Sequence, residues 1–393
     1  VRLKDKPDVG IAIQYPINQQ GGTEVLVKAL ALGLGGSFYI HLVSPDTADE
    51  LGASLSGAIQ SHIQLEQSFF TPKCRASLAS ELKRRSVSFV HVNIGGLWDW
   101  STRYMHRCPI LDFAQSGIRY ITTVHGVFEL VPNMVVKYPK IIRYLLMPYA
   151  MASRLRVSRG AEKEFFVSQH DYKKACRWLF PYHRKFGQIY HSQLGNSPYY
   201  DIQIKEKVII CVGTIGGRKG QPYLAEAFSH IAKQYPDWSL KFVGRVAVQS
   251  DYEKAQKIVQ SAGVSSQVTF TGPISDEDLL AIFKKASIFA MPSLAEGLGL
   301  SLQEAIYNGC VPIGSRVGGI PELIEDQVNG LLVEPCDVVA LAQGLRILMD
   351  SDNLRRKYAD AGQQLLRMKH MSQSEMLDAY RMIYNSYIPK RKS

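Results

Sequence analysis

Short apolar runs rich in β-branched residues recur along the chain, each separated from the next by stretches with helical spacing. In the first half the runs are Val9–Gln14, Phe38–Val43, Phe89–Asn93, Tyr120–His125 and Gln188–His191. In the second half they are Val208–Gly213, Leu240–Val243, Val268–Thr271, Ile288–Met291, Val311–Gly314 and Gly330–Val333. Near-continuous apolar strands bounded by turn residues suit a parallel sheet covered on both faces, and their alternation with helices predicts βαβ units. The pattern appears twice. Ile11–Tyr15 leads into Gly21-Gly22, and Val208–Val212 leads into Gly213 and then Gly216-Gly217. The expected architecture is therefore α/β, with two Rossmann-like domains whose parallel sheets face a central cleft. Their joint is placed in the polar, proline-containing Gly195-Asn-Ser-Pro-Tyr-Tyr-Asp201, giving domains 1–200 and 201–371. Ligands bind at the carboxyl ends of parallel strands, so both glycine turns are expected to face the cleft. Ser372–Tyr387 has apolar positions at Met376, Leu377, Tyr380, Met382, Ile383 and Tyr384 and predicts an amphipathic helix.

Composition changes this picture in one respect. The net charge of +11 is uneven: residues 1–200 carry 24 Lys/Arg against 14 Asp/Glu, and residues 201–393 carry 22 against 21. The basicity belongs to the amino-terminal half and points to an anionic partner there. The cysteines at 74, 108, 176, 211, 310 and 336 form no CxxC pair and lack ligand-like His spacing, which argues against a disulfide framework or a zinc site and for a reducing, cytoplasmic compartment. No signal peptide is legible at Val1-Arg-Leu-Lys, and no uninterrupted apolar run reaches the length of a membrane span. The best apolar stretch, Ile141 to Val157, is broken by Arg143, Pro148, Arg154 and Arg156.

Two turns carry candidate chemistry. Val212-Gly-Thr-Ile-Gly-Gly-Arg-Lys-Gly220 precedes a helical stretch, Gln221–Gln234. A glycine turn entering a helix offers amides and a positive dipole end to phosphate, and Arg218 and Lys219 add two cations. It is neither a Walker P-loop nor a dinucleotide GxGxxG; alone, it reads equally well as a solvated connection. The second turn is Pro292-Ser-Leu-Ala-Glu-Gly-Leu-Gly-Leu-Ser-Leu-Gln-Glu304, between a strand at Ile288–Met291 and a helix at Leu300–Tyr307. Gly297 and Gly299 permit close backbone approach, and Glu296 and Glu304 flank that approach. Isolated, such a pair reads more readily as two surface carboxylates. The surroundings change that reading: Val268-Thr-Phe-Thr-Gly-Pro273 and a helix at Glu277–Lys285 lie upstream. Asn308-Gly-Cys-Val-Pro-Ile-Gly314, Val317-Gly-Gly-Ile-Pro-Glu-Leu-Ile324 and Val328-Asn-Gly-Leu-Leu-Val-Glu-Pro335 lie downstream.

With these residues in combination, the stretch from about 207 to 346 resembles the nucleotide-sugar domain of the retaining glycosyltransferases of family 4, which have the GT-B fold; Glu296…Glu304 is their E-x7-E element. The resemblance implies that Lys219 and Arg218 hold the donor diphosphate beside Gly213. It implies that Gly297, Leu298 and Gly299 meet the diphosphate and sugar hydroxyls, that Glu296 contacts the transferred sugar and Glu304 the ribose, and that Gly272 and Ile274 lie beside the base. Many relatives have Arg after the glycine of the first strand, where this chain has Thr214. Another departure is Gly244-Arg245, where an acidic residue is often found. In the first half, Gly21-Gly22-Thr-Glu24 resembles the family's first glycine turn, and Thr122-Thr-Val-His-Gly126 resembles the strand end that carries a cleft histidine, His125. His91 and Asn93 are weaker echoes, placed as acceptor contacts. In this fold class the last helix, within 372–393, crosses back to the first domain.

Residues 137–186 hold 12 Lys/Arg interleaved with Tyr138, Tyr144, Phe165, Phe166, Tyr172, Trp178, Phe180 and Tyr182. Such a stretch suits an anionic bilayer interface or a phosphorylated or lipid-linked acceptor, and equally a solvated face. Nucleic acid is not expected as a partner.

The expected activity is transfer of a sugar from a nucleoside-diphosphate sugar, UDP ahead of GDP, to a hydroxyl of a glycan or lipid-linked acceptor in cell-envelope glycan synthesis. The anomeric configuration is retained, with no cofactor or metal and no DxD-like triplet in view. Lys219, Glu296 and His125 carry the reaction, by positioning and leaving-group stabilisation. The competing readings are a nucleotide-sugar epimerase and a non-catalytic sugar-nucleotide-binding protein of the same fold. The enzyme is expected in the cytoplasm or peripherally on the cytoplasmic membrane face.

Overall fold

The computed structural model describes residues 6–17, 21–66, 77–95, 108–126, 148, 151–152, 154–194 and 205–388. The chain divides into two compact units, one comprising Val1–Gln193 with Gln373–Ser393 and the other Leu194–Ser372. The expected joint at 195–201 lies outside the described residues.

The first unit is built on a seven-stranded, all-parallel sheet. Its strands are β1 (Asp8–Ile13), β2 (Tyr39–Ser44), β3 (Ser61–Gln64), β4 (Phe89–Ile94), β5 (Arg119–Val124), β6 (Lys163–Phe166) and β7 (Phe186–Gln188). They lie in the order β3-β2-β1-β4-β5-β6-β7, with every pairing parallel. The order reverses between β1 and β4, the doubly wound arrangement in which strand ends on either side of the switch point are left open for ligands. β4, in the middle, is buried at every position, its polar His91 and Asn93 included.

Two of these strands were not expected from the sequence. β3 reads Ser-His-Ile-Gln with one fully buried residue, because it is an edge strand with little core to cover. β6 begins Lys163-Glu164, and that glutamate is wholly buried. Its Oε1 accepts a 2.5 Å hydrogen bond from Arg154 Nη2, and its Oε2 accepts one of 2.8 Å from Thr122 Oγ1. Arg154, itself wholly buried, also donates to Ser158 Oγ at 2.9 Å. Arg154, counted in the basic stretch, is therefore a core residue and offers nothing to an external anion. β7 starts two residues earlier than expected, pairing Phe186 with Glu164.

The carboxyl-terminal helix Gln373–Tyr387 packs within this first unit, burying Met376, Tyr380 and Tyr384 at a spacing of four. Tyr384 sits edge-on to Phe38 and Phe89, at 5.4 and 5.3 Å between ring centroids. A side chain at Gly33 would meet Leu377 Cδ1 at 2.4 Å, so glycine there allows the helix Gly22–Leu34 to lie close to the terminal one. The polar ends of the two tyrosines are satisfied by strand residues. Tyr384 Oη is 2.7 Å from His91 Nδ1, and His91 Nε2 is 2.7 Å from Thr123 Oγ1. That threonine hydroxyl is 2.9 Å from Tyr380 Oη, which is 2.7 Å from His191 Nε2. Burial pulls both His91 and His191 down to about 3, so both are neutral links in a buried polar chain. His91, with no exposed surface and both ring nitrogens engaged, is a core residue and not an acceptor contact.

The second unit carries a six-stranded parallel sheet of β8 (Glu206–Val212), β9 (Ser239–Val243), β10 (Val268–Phe270), β11 (Ala286–Met291), β12 (Val311–Ser315) and β13 (Leu331–Val333), in the order β10-β9-β8-β11-β12-β13. All six lie on the expected apolar runs, with ends moved by at most two residues. The helix Asp276–Lys285 is marked at both ends: Ser275 Oγ accepts from Asp278 N–H, acids fill the first turn, and Lys284 and Lys285 end it. Among the described residues no helix is long and apolar enough to cross a membrane.

Candidate functional site

In the second unit the two glycine turns, far apart in sequence, lie against each other. The first leaves β8 at Gly213, whose φ of 144° only glycine adopts readily. Its N–H is taken by Val243 O at 2.9 Å, and Gly244 N–H by Gly272 O at 3.1 Å. The ends of β8, β9 and β10 are thereby tied in one row. What Gly213 contributes is an absent side chain: the Lys219 stem passes 3.6 Å from where a Cβ would stand. The amides of Gly216 and Gly217 do not point free toward an anion. Gln221 Oε1 accepts the first at 3.1 Å and Asp251 Oδ2 the second at 2.6 Å. The anion-binding capacity of this turn therefore rests on the cations Arg218, which is exposed, and Lys219.

Gly220 closes the turn in the left-handed region, φ 69°, at the start of the helix Gln221–Ile231. A Cβ there would stand 2.0 Å from Pro292 O. Only glycine lets the first turn press on the second, and the contact is completed by Leu294 N–H donating to Arg218 O at 2.7 Å.

The second turn runs from β11 to the helix Leu300–Tyr307. Gly299, φ 95°, is its N-cap, with the Met291 sulfur 3.3 Å from its missing Cβ. Behind it, Gly318 has its missing Cβ only 1.8 Å from Glu296 O, and Gly319 N–H donates to Gly297 O at 3.0 Å. The downstream Val317-Gly-Gly-Ile-Pro motif is thus the back wall that holds Glu296–Gly299 in place. Leu298 is buried, so its side chain belongs to the core.

Glu296 is 7% exposed and lies against Lys219, whose Nζ donates to its Oε2 at 2.6 Å; Ser293 Oγ is 3.4 Å from the same oxygen. Burial pushes this carboxyl up. The Lys219 and Arg218 charges, the Lys219 hydrogen bond and the Gly297 N–H outweigh it and leave the group below the ordinary glutamate range. Glu296 is therefore an ionised acceptor at neutral pH, paired with a partly exposed cation. Glu304 lies one helical turn into Leu300–Tyr307, half-buried, its carbonyl accepting both Asn308 N–H (3.0 Å) and Asn308 Nδ2 (2.8 Å). Gly272, φ 70°, has no atom within 4 Å of its missing Cβ, so its face is open, and Ile274 beside it is half-buried. Among the described residues no group of three or more His, Cys, Asp or Glu is placed to hold a metal ion.

In the first unit, Gly22 opens the helix Gly22–Leu34, whose N-cap Gly21 is extended and supplies no side-chain cap. His125 stands one residue past β5, with its N–H donated to Ile94 O at 2.8 Å. Its Nε2 is 2.8 Å from Asn93 Oδ1, and its ring lies edge-on to His191 at 4.8 Å. Asn93, expected to touch an acceptor, is wholly buried and bridges Ala12 O and His125 instead. Nothing in the sequence signals His191, which enters this cluster from the segment that follows β7.

Part of the basic stretch does face solvent. Arg156, Arg159, Lys173, Arg177 and Arg184 are exposed, as are Trp178 (48%) and Phe180 (68%) at the end of the helix Gln169–Trp178. Phe165 and Phe166 are buried, and Lys137, Tyr138, Lys140, Arg143 and Tyr144 lie outside the described residues.

Residues 198–365 match the family model described as glycosyl transferases group 1. The chain is 29% identical over 159 residues to the D-inositol 3-phosphate glycosyltransferase of Corynebacterium diphtheriae, a match covering 40% of this chain and 37% of that relative. Among solved structures, the chain is similar to Anabaena HepE in complex with UDP and glucose, with a TM-score of 0.74 at 15% identity over 97% of this chain and all of the other. It is likewise similar to sucrose-phosphate synthase from Thermosynechococcus elongatus, with a TM-score of 0.73 at 17% identity over 97% of this chain and 99% of that one. The fold is that of the GT-B glycosyltransferases, and the second unit carries the sequence signature of their group 1 domain.

Proposed function

We propose that this chain is a retaining glycosyltransferase that takes a sugar from a nucleoside-diphosphate sugar, UDP-sugar ahead of GDP-sugar, and passes it to a hydroxyl of a glycan or lipid-linked acceptor. One observation carries the reading: a partly exposed Lys219 and an ionised, buried Glu296 are joined at 2.6 Å where two glycine turns meet at the carboxyl end of a parallel sheet. A cation beside an open strand end suits a diphosphate, and a fixed carboxylate beside it suits sugar hydroxyls. In this reading Lys219 and Arg218 neutralise the departing diphosphate without a metal, and the acceptor hydroxyl attacks on the face the diphosphate leaves, passing its proton to the departing diphosphate oxygen. Glu304, one turn into the helix, takes the ribose; Gly272 and Ile274 flank the base. The complexed neighbour with UDP and glucose supports the preference for UDP.

A thermal-shift panel of nucleotide sugars tests this directly. At a hundred times Kd a ligand adds about 2.7 kcal/mol, and a rise of several degrees is expected with UDP-sugars. No shift with any nucleotide sugar would sink the proposal. Conversion of the donor with no acceptor present would favour an epimerase, and binding with neither conversion nor transfer a degenerate carrier.

We further propose that the enzyme works peripherally on the cytoplasmic membrane face, with the Trp178–Phe180 end of the first unit resting on an anionic bilayer. Two exposed aromatic rings, with exposed Lys173, Arg177 and Arg184 flanking them in sequence, fit a headgroup layer, each cation contributing about 1 kcal/mol near such a surface. Vesicles of phosphatidylglycerol should sediment the protein and blue-shift Trp emission, and the double variant Trp178→Ala/Phe180→Ala should lose both. Equal binding to neutral phosphatidylcholine vesicles, or no effect of the double variant, would contradict it.

A further inference from the structure

The glycine turn after β8 is short of positive charge for the ligand proposed for it. Lys219 is matched by Glu296 at 2.6 Å, and the amides of Gly216 and Gly217 already donate to Gln221 and Asp251. Of the turn's own cations this leaves Arg218 alone, exposed and uncompensated, to face a diphosphate with two negative charges. The next strand places another cation beside it. After β9 the chain bends at Gly244, whose missing Cβ stands 2.3 Å from Gly213 O, so that only glycine permits the approach. From there it runs parallel to the β8 turn. Arg245 O accepts from Ile215 N–H at 2.8 Å, Ile215 O accepts from Ala247 N–H at 3.0 Å, and Ile215 and Val246 form a parallel bridge. The backbone of Arg245 is thereby fixed against the turn. Its side chain is exposed, and among the described residues its guanidinium has no hydrogen-bond or ion-pair partner. A tethered backbone carrying an unpaired guanidinium is a positioned group for a phosphate.

The order of the strands decides which phosphate it meets. Four of them lie as β10-β9-β8-β11. In the proposed function the base sits by Gly272, after β10, and the transferred sugar by Glu296, after β11. A nucleotide sugar laid along these strand ends passes its nucleoside-side phosphate over the end of β9 and its sugar-side phosphate over the Lys219 turn. Gly244 N–H, donating to Gly272 O at 3.1 Å, keeps Arg245 toward the base end. We infer that Arg245 binds the phosphate attached to the nucleoside, while Lys219 meets the phosphate bonded to the sugar. This rests on the nucleotide-sugar reading of the second unit. The division has a kinetic consequence. When the bond to the sugar breaks, new negative charge develops on the sugar-side phosphate, and the nucleoside-side phosphate keeps the charge it had. Arg245 therefore holds substrate and transition state equally, and serves affinity rather than turnover.

The test is titration of the full chain with uridine, UMP and UDP, and in parallel with the guanosine series, for the wild type, Arg245→Gln and Arg245→Lys. The control is Lys257→Gln, which removes another exposed cation of the same unit. Arg245→Gln should weaken the monophosphate and the diphosphate alike by roughly ten- to hundredfold, the loss of a hydrogen bond to a charged group. Nucleoside affinity, read by competition, should not move. Arg245→Lys, a point charge without the guanidinium fork, should recover part of the loss, and Lys257→Gln should bind all three as the wild type does. With a nucleotide sugar as donor, Arg245→Gln should raise KM by a similar factor and change kcat by less than about twofold. A loss confined to the diphosphate would move Arg245 to the sugar-side phosphate, and an equal loss with the nucleoside would move it to the base; either overturns the inference. So does an equal loss in Lys257→Gln, which would show a general field and no contact. Unchanged nucleotide binding in Arg245→Gln, with a wild type that binds, faults this inference alone. A wild type that binds neither series overturns the proposed function and this inference with it.

Discussion

Lys219→Ala should lower kcat by about 10²–10³, the usual loss when one preorganised donor to a developing negative charge is removed. The same substitution leaves Glu296, 7% exposed, without its 2.6 Å partner. An uncompensated buried carboxylate is itself destabilising, so loss of activity in the single variant has two sources. The double variant Lys219→Ala/Glu296→Gln separates them. It removes the orphaned charge and should recover most of the lost thermal stability, while kcat stays low because the proposed donor still lacks Lys219 at its diphosphate and the Glu296 carboxylate at its sugar. Steady-state kinetics and a thermal melt on both proteins decide the matter. Wild-type turnover in Lys219→Ala would remove the lysine from the leaving-group role, and recovery of turnover in the double variant would reassign it to holding Glu296.

Glu164→Ala should cost about 3–5 kcal/mol of stability without touching the donor site, because it strands the wholly buried guanidinium of Arg154 and frees the Thr122 hydroxyl. For a unit of this size that corresponds to a fall in melting temperature of roughly 6–20 °C. Arg154→Met/Glu164→Leu, which replaces the pair by apolar side chains of similar length, should be much closer to wild type, since burying two charges has its own desolvation cost. Nucleotide-sugar binding, a property of the other unit in the proposed function, should survive in the folded fraction of every variant. A Glu164→Ala protein that melts with the wild type would show that the pair contributes nothing net.

The glycine-turn site of the second unit was far more legible than the polar pairings of the first, and the reason is local. Lys219 lies in the turn after β8 and Glu296 in the turn after β11, and backbone geometry demands glycines around both: Gly220, and Gly318 in the turn after β12, stand where a Cβ would collide with Pro292 O and Glu296 O. Requirements of that kind leave an unmistakable spacing in the chain. In the first unit the important pairings join residues brought together only by tertiary packing: Asn93 with His125, His91 with Tyr384, Arg154 with Glu164. A charged residue that ends up paired in a core looks, in sequence, like any other charge. This is why Arg154 read as part of a basic surface and His91 as an acceptor contact. β6 escaped notice for the same reason: its buried Glu164 breaks the apolar run that marks a strand.

By itself the sequence determined the repeated strand–turn–helix order, the parallel sheets and the residues of the two glycine turns, because hydrophobic period and glycine placement are properties of neighbouring positions. The tertiary structure decided which cations and carboxylates meet. It took the amides of Gly216 and Gly217 out of the anion site by giving them to Gln221 and Asp251, and it assigned Asn93 to His125. Hydrogen bonds and ion pairs of this kind depend on distances of a few tenths of an ångström between residues distant in the chain, and no one-dimensional pattern carries that information.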